Sequence, residues 1–351
     1  MRSSATMMVG SVALVALAIA PAAAQERYNV SGDHVAIYNL AGEVEVVGTS
    51  SGPVTVEVTR GGPDSGALTV EVGDVGGRQA LRVIYPADRV VYDPRGWSGN
   101  TQLAVRADGT WGNREVWRSR GDRVRISSRG PGMEAHANLR VGVPAGQRVD
   151  IYLAVGHITA ENVDGRVRLD THSGAIGARN MSGFLTVDTG SGSVELQGMR
   201  GDLEIDTGSG AVRVADVNGS GILIDTGSGA VHARNLVASS IEIDTGSGGI
   251  DLLASSAREV RLDTGSGSVE AELSGSIDDL LVDTGSGSVT VRLPEDLSAM
   301  VEIDTGSGGI EVDFPISITR RSRDELHGQI GDGAGRIVID TGSGSIRLQR
   351  M

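Results

Sequence analysis

Nine aspartates in this chain stand in a context that can do chemistry. Asp-Thr-Gly-Ser behind an apolar residue, as in Ile205 to Val212, is how aspartic proteases present a catalytic carboxylate. Asp-Thr-Gly-Ser-Gly occurs at Asp188, Asp206, Asp225, Asp244, Asp263, Asp283, Asp304 and Asp340, and Asp-Thr-His-Ser-Gly at Asp170. An aspartic protease brings two such aspartates face to face, one per lobe, so that they share a proton. Nine equivalent copies single out no pair, and the protease reading is rejected.

A column of carboxylates has a second use. At a separation of ~5 Å two of them repel by about 0.8 kcal/mol in water and about 3 kcal/mol at an effective dielectric of 20, which cations would relieve. Solenoid repeats that hold calcium between coils are written G-G-x-G-x-D, whereas here Asp precedes the glycines and Ser stands inside the turn. The simpler expectation is that each Asp caps its own turn by accepting hydrogen bonds from the Gly and Ser amides after it, with Thr and Ser hydroxyls bonding from coil to coil. No cofactor is expected, and calcium on the aspartate column is the one alternative kept open.

Carbohydrate chemistry is a third use, because parallel β-helices host polysaccharide lyases and hydrolases. Asp251 and Glu270 fall on adjacent repeats, near the ~5–5.5 Å separation of a retaining carboxylate pair. Their row also carries Glu195, Arg213 and His232, and opposite charges as neighbours describe a stabilising cross-strand ladder. The six histidines do not cluster at metal-ligand spacing, and His157 and His172 are assigned to solvated turns. Trp97, Trp111 and Trp117, the three tryptophans, lie in one segment, Tyr92 to Gly130; from Arg89 to Arg129 there are nine arginines against four acids. Exposed Trp among Arg suits a glycan, an anionic envelope polymer or a protein partner. Alternatively the three rings cap the N-terminal end of a repeat stack.

What positions these residues is a repeat. Successive motif aspartates are 18, 18, 19, 19, 19, 20, 21 and 36 residues apart, a self-similarity that defines a repeat architecture. The residues one and three before each Asp are apolar, as in Leu203 and Ile205, with mostly polar residues such as Glu204 between them. That is period-two alternation, so a strand ends at the motif. A β-branched residue stands six after each Asp, from Ile176 to Ile346, and starts a second strand. Gly-Ser-Gly between the strands makes a corner. Its last Gly is present in all nine copies while the first is His172 in one; this predicts the stricter conformation at the last Gly, His being among the side chains that visit positive φ. A second corner is marked by an Asn, Gly or Asp followed by an inward Met181, Met199, Val217 or Leu236. Two strands and two corners in 18–21 residues fit one coil of a single-stranded parallel β-solenoid, right-handed, and leave no room for βαβ helices.

Outside the motif the rhythm persists. Ile158 lies 18 before Ile176, with Tyr152 where the Asp would stand, and His34 to Gly48 reads as a worn coil. The gap of 36 after Asp304 holds either a degenerate coil or a short excursion, and the last coil ends almost at Met351, which predicts an uncapped edge.

Residues 1–24 carry Arg2, an apolar run from Val9 to Ala20 and Ala22-Ala23-Ala24, the pattern of a secretory signal. With no later run of ~18 apolar residues, the mature chain is expected to be extracytoplasmic: periplasmic, cell-surface or secreted. It has no cysteine and no disulfide. Residues 25–149 hold 15 Arg against 14 acids, and residues 150–351 hold 15 Arg against 31 acids. The acidic repeat region excludes nucleic acid as its partner. The expected segments are the signal (1–24), an irregular β region (25–145) with the Trp/Arg-rich insertion at about 90–130, and the regular solenoid (146–351).

The DTGSGSV corners, the stretch Val141 to Ile158 and the close from Gly328 to Leu348 together resemble the "putative adhesin" family of bacterial extracytoplasmic proteins, domain of unknown function 4097. The resemblance spans about residues 30–349. It implies a β-helical fold and an envelope or surface location, and carries over no catalytic residues. The expectation is a non-catalytic binding or structural protein of the cell envelope, with an envelope glycan or protein as partner. A polysaccharide-active enzyme is the alternative, and a calcium-binding repeat protein comes third.

Overall fold

The alternation read before each motif becomes strand in every copy. In the coil ending at Asp206, Leu203 and Ile205 are buried and Glu204 is exposed, and after the corner Val212 and Val214 are buried with Arg213 exposed. The computed structural model describes residues 25–93, 99–112 and 121–351. The signal segment 1–24 and the tryptophans Trp97 and Trp117 lie outside the described residues. Among those described, the only helical turn is the 3-10 segment Ser65–Ala67. The chain is therefore all-β, and most strands join one parallel-rich sheet that wraps around a solenoid-like stack.

Each coil contributes two walls. Strands that end at Asp-Thr build the first: Asp164–Ser173, the second half of Ile176–Thr189, the second half of Val194–Thr207, then Gly221–Thr226, Ser240–Thr245, Glu259–Thr264 and Asp279–Thr284. They pair in parallel with aspartate opposite aspartate: 170 with 188, 188 with 206, 206 with 225, 225 with 244, 244 with 263, and 263 with 283. Strands that follow the corner build the second wall in the same register, so Val212 lies against Val194 and Val231. Apolar side chains thus stack on their equivalents inside, which makes a core of Val, Ile and Leu almost without rings.

The motif divides three tasks among its residues. Asp points out. Thr points in: all nine motif threonines are buried, and the hydroxyls of Thr189, Thr245, Thr264 and Thr284 donate to the last motif glycine's carbonyl in the coil before, at 2.8–3.4 Å. Gly permits contact between coils. A Cβ on Gly192, Gly210 or Gly248 would fall inside the carbonyl of the equivalent glycine one coil back, so close approach excludes any side chain at the last Gly. Positive φ in the left-handed region holds for Gly174, Gly192 and Gly210. His172 is not among the positive-φ residues; the conformational reason expected for it gives way to the looser approach at the first glycine.

The second corner forms as read. Asn180, Gly198, Asp216 and Asn235 take φ of 52°, 77°, 59° and 55°, and Met181, Met199, Val217 and Leu236 after them are buried.

Order in space departs from order in sequence at both ends. The strand Gly335–Thr341 pairs with Asp279–Thr284 on one side and with Ala299–Thr305 on the other. The aspartate column therefore ends 283, 340, 304. The second wall repeats this, with Ile346–Arg350 between Val289–Leu293 and Ile310–Val312. Two hydroxyls register the same order: Thr341 donates to Gly287 O at 3.0 Å and Thr305 to Gly344 O at 2.9 Å. The last coil is an inner layer, and the uncapped edge expected there is corrected. The gap of 36 residues holds an antiparallel pair, Ile316–Arg321 and Glu325–Ile330, which covers Ala299–Thr305.

The N-terminal end is built the same way. His34–Ala41 pairs with Gln147–Val155, placing Tyr38 beside Tyr152, and Val44–Thr49 lies between Ile158–Glu161 and His136–Pro144. Beyond them, Arg78–Ile84 follows His34–Ala41 on the first wall, and Thr69–Val75 closes it antiparallel. Arg89–Val91, Asn100–Val105, Asp122–Ser127 and Met133–Glu134 form a separate four-stranded sheet.

Candidate functional site

On the outside of the first wall, side chains two residues apart form parallel columns. One runs Tyr38, Tyr152, Asp170, Asp188, Asp206 and onward through the aspartates; the next holds Asp150, Arg168, Thr186 and Glu204; the third holds Arg148, Arg166 and Phe184. Where the aspartates give way to tyrosine, the three columns and Arg78 of the end hairpin enclose a hollow of 590 Å³.

Its floor at the aromatic end is fixed. Tyr38 and Tyr152 stack at 4.6 Å with rings 4° from parallel, and Trp111 meets Tyr152 edge-on at 5.9 Å. Asp150, buried, accepts from Arg78 Nη1 at 3.1 Å and lies 2.8 Å from His34 Nε2. Two polar partners make burial of this carboxylate tolerable. Burial raises the Tyr152 hydroxyl above its ordinary range.

The middle of the hollow holds the carboxylates. Arg168 reaches Asp188 at 2.6 Å and Asp170 at 3.4 Å. Burial, with the Asp188 charge beside it, nonetheless pushes Asp170 up to about 7. Arg166 lies over the Phe184 ring at 5.0 Å, a cation–π contact. The hollow thus offers planar donors, carboxylate acceptors and one aromatic face within a few residues.

The aspartates form the expected column, but the first-glycine amides they were expected to cap find their acceptors in the neighbouring coil. The first motif glycine's amide donates to the motif threonine's carbonyl one coil back, as in Gly208 to Thr189 and Gly227 to Thr207, both at 2.9 Å. Asp206, Asp225, Asp244, Asp283, Asp304 and Asp340 stand exposed. Burial and then the neighbouring carboxylates raise Asp225, Asp244 and Asp340. Among the described residues no three His, Asp or Glu side chains converge to hold a metal ion.

The Asp251 and Glu270 pair does fall on adjacent coils. Each is already engaged: Asp251 lies 2.7 Å from His232 Nδ1, and Glu270 accepts from Arg292 at 2.6 Å. This is the charge ladder expected from the row, beside a groove of 290 Å³ on the second wall. His157 is half-buried, with Nδ1 unpartnered, and is no solvated turn; His172 is exposed.

Trp111 is 5% exposed. Its ring packs edge-on against Tyr152, so an exposed binding ring is corrected for this residue. Residues that sequence reasoning missed are Arg78, Arg148, Asp150, Arg166, Arg168 and Phe184. The signal for several was present: in Arg166 and Arg168 the outward row turns basic in the coil where the motif first degrades to Asp-Thr-His-Ser-Gly.

Residues 183–349 match the family described as Toastrack DUF4097. No curated protein matches the chain. Among solved structures, a "putative cell adhesion protein" from Clostridium sporogenes is 11% identical, covering 93% of this chain and 99% of that one, with a TM-score of 0.22. A "putative adhesin" from Bacteroides fragilis is 11% identical over 93% of this chain and 96% of its own, at a TM-score of 0.37. Another from Parabacteroides distasonis is 12% identical, covering 92% and 96%, at 0.41.

Proposed function

With residues 183–349 matching the Toastrack DUF4097 family, we propose that the protein is a non-catalytic, adhesin-like binding protein of the cell envelope, located outside the cytoplasm. Its solenoid winds right-handed with a coil every 18–21 residues, and the rigid stack presents the hollow beside Tyr152 to an envelope glycan. The observation that carries the reading is the composition of that hollow: Arg78, Arg148, Arg166 and Arg168 with Asp170, Asp188 and Phe184. Guanidinium forks and carboxylates match vicinal hydroxyls and acidic sugar groups, and a flat ring gives a sugar its apolar face.

Binding of purified residues 25–351 to immobilised acidic and neutral glycans tests this. Arg166→Ala and Arg168→Ala are expected to weaken binding at least tenfold, the loss of one charge-assisted contact of about 1.4 kcal/mol. Full affinity in both variants would reject the hollow as the site. Asp170 favours a second reading, since a carboxyl held at about 7 suits a general acid. Release of reducing ends from any of the same glycans, abolished by Asp170→Asn, would establish an enzyme.

A further inference from the structure

Both ends of the first wall finish on a strand with one side unpaired. Among the described residues, Thr69–Val75 pairs only with Arg78–Ile84, and Ile316–Arg321 only with Glu325–Ile330. A free row of N–H and C=O groups is a template for another strand. The two edges differ in charge. Thr69–Val75 carries Asp74 and Glu71, the latter paired with Arg82 at 3.2 Å, and no base, whereas 316–323 carries Arg321, Arg323 and Arg320, the last paired with Glu325 at 3.0 Å, and no acid.

They also match in the core. Val72 lies opposite the buried Leu81 and is 42% exposed. Ile318 follows by two residues Ile316, which packs on the core, and is 45% exposed. Val72 is the outermost rung of the ladder that runs through Leu81, and Ile318 lies beyond Gly328 on the face of Val301; each is left half in water. Strand direction completes the match. Arg78–Ile84 runs with the coil strands, so Thr69–Val75 runs against them. Two successive antiparallel pairings return Ile316–Arg321 to the coil direction. A second copy stacked with its coils in the same sense would therefore lay Thr69–Val75 antiparallel to Ile316–Arg321, seven residues against six.

We infer that the protein associates head to tail with further copies of itself, the acidic N-terminal edge strand of one copy adding to the basic edge strand 316–321 of the next. Such an interface is heterologous and leaves a free edge of each kind, so growth is open-ended. Pairing of like ends would set arginine against arginine or acid against acid, which is repulsive. The contact joins Val72 to Ile318 and continues the apolar ladder between copies.

Sedimentation velocity of residues 25–351 across about 1 µM to 1 mM spans the range of weak contacts. The weight-average mass is expected to rise with concentration beyond two copies and to fall with added salt. Two double variants sharpen the test. Arg321→Glu with Arg323→Glu makes both ends acidic; Thr69→Arg with Asp74→Arg makes the N-terminal end basic like the other. Each alone is expected to stay monomeric with an unchanged far-ultraviolet spectrum, and an equimolar mixture to assemble again. A monomer at every concentration, a discrete dimer that grows no further, or a folded mixture that fails to assemble would each overturn the inference.

Discussion

Two columns of side chains run the length of the stack on opposite walls, and they handle charge in opposite ways. On the second wall, carboxylates find bases: His232 pairs with Asp251 and Arg347 with Glu311 along one column, and Glu270 with Arg292 of the next. On the first, aspartate follows aspartate through nine coils, and carboxyls such as Asp170, Asp225, Asp244 and Asp340 are held above their ordinary range. Identical strand spacing therefore does not impose identical electrostatics. The second wall relieves itself, while the aspartate column stores repulsion that arginines relieve locally, Arg168 between Asp170 and Asp188 and Arg261 at 3.8 Å from Asp263.

The change that breaks both columns at once is Gly210→Ala. The new methyl would meet the Gly192 carbonyl at a backbone of φ +148°, and relief requires neighbouring coils to part. A loss of about 3–5 kcal/mol, read by urea unfolding, is expected.

Asp170→Asn acts on the aspartate column alone. With a folded pKa of about 7 against an unfolded value of about 3.9, the native state binds the extra proton. Its stability then falls as pH rises from about 4 to 7 and levels off above. The variant is expected to be no more stable than the parent at pH 4, and more stable by about 1–3 kcal/mol at pH 8. An unaltered pH slope between 4 and 7 would show that Asp170 is ionised throughout.

The smallest effects carry opposite signs. Asp251→Ala removes the His232 partner and should cost about 0.2–1 kcal/mol, while Asp244→Ala removes a like-charge neighbour and should raise the melting temperature slightly, both fading in high salt. Equal signs would erase the distinction between the columns.

Strands, corners and the aspartate column were legible because each follows from a local pattern repeated many times. Ile205 before Asp206 and Val212 after it need only their own alternation to be placed. The order of layers was not legible, because every Ile-Asp-Thr strand offers the same edge to every other: Asp283 accepts Asp340 as readily as Asp304. The capping role read for Asp failed because neighbouring coils supply acceptors that an isolated turn lacks. The hollow escaped because Arg78 and Asp150, 72 residues apart, meet only through the end hairpin.

The inner position of residues 335–350 makes them a keystone. An ordinary repeat stack can grow one layer at a time and fray from its tip. Here the layer of Asp304 has no seat on that of Asp283 until the closing stretch has been made and slotted between them. Completion must wait for residues 335–350, and these strands cannot peel away without prising two neighbours apart. The same interlock recurs at the other terminus, where His34–Thr49 is flanked on both sides by strands made later. His34–Thr49 and residues 335–350 are thereby withheld from the ends of the rod, which suits a slow-opening structure whose lifetime is set by its barrier to unravelling.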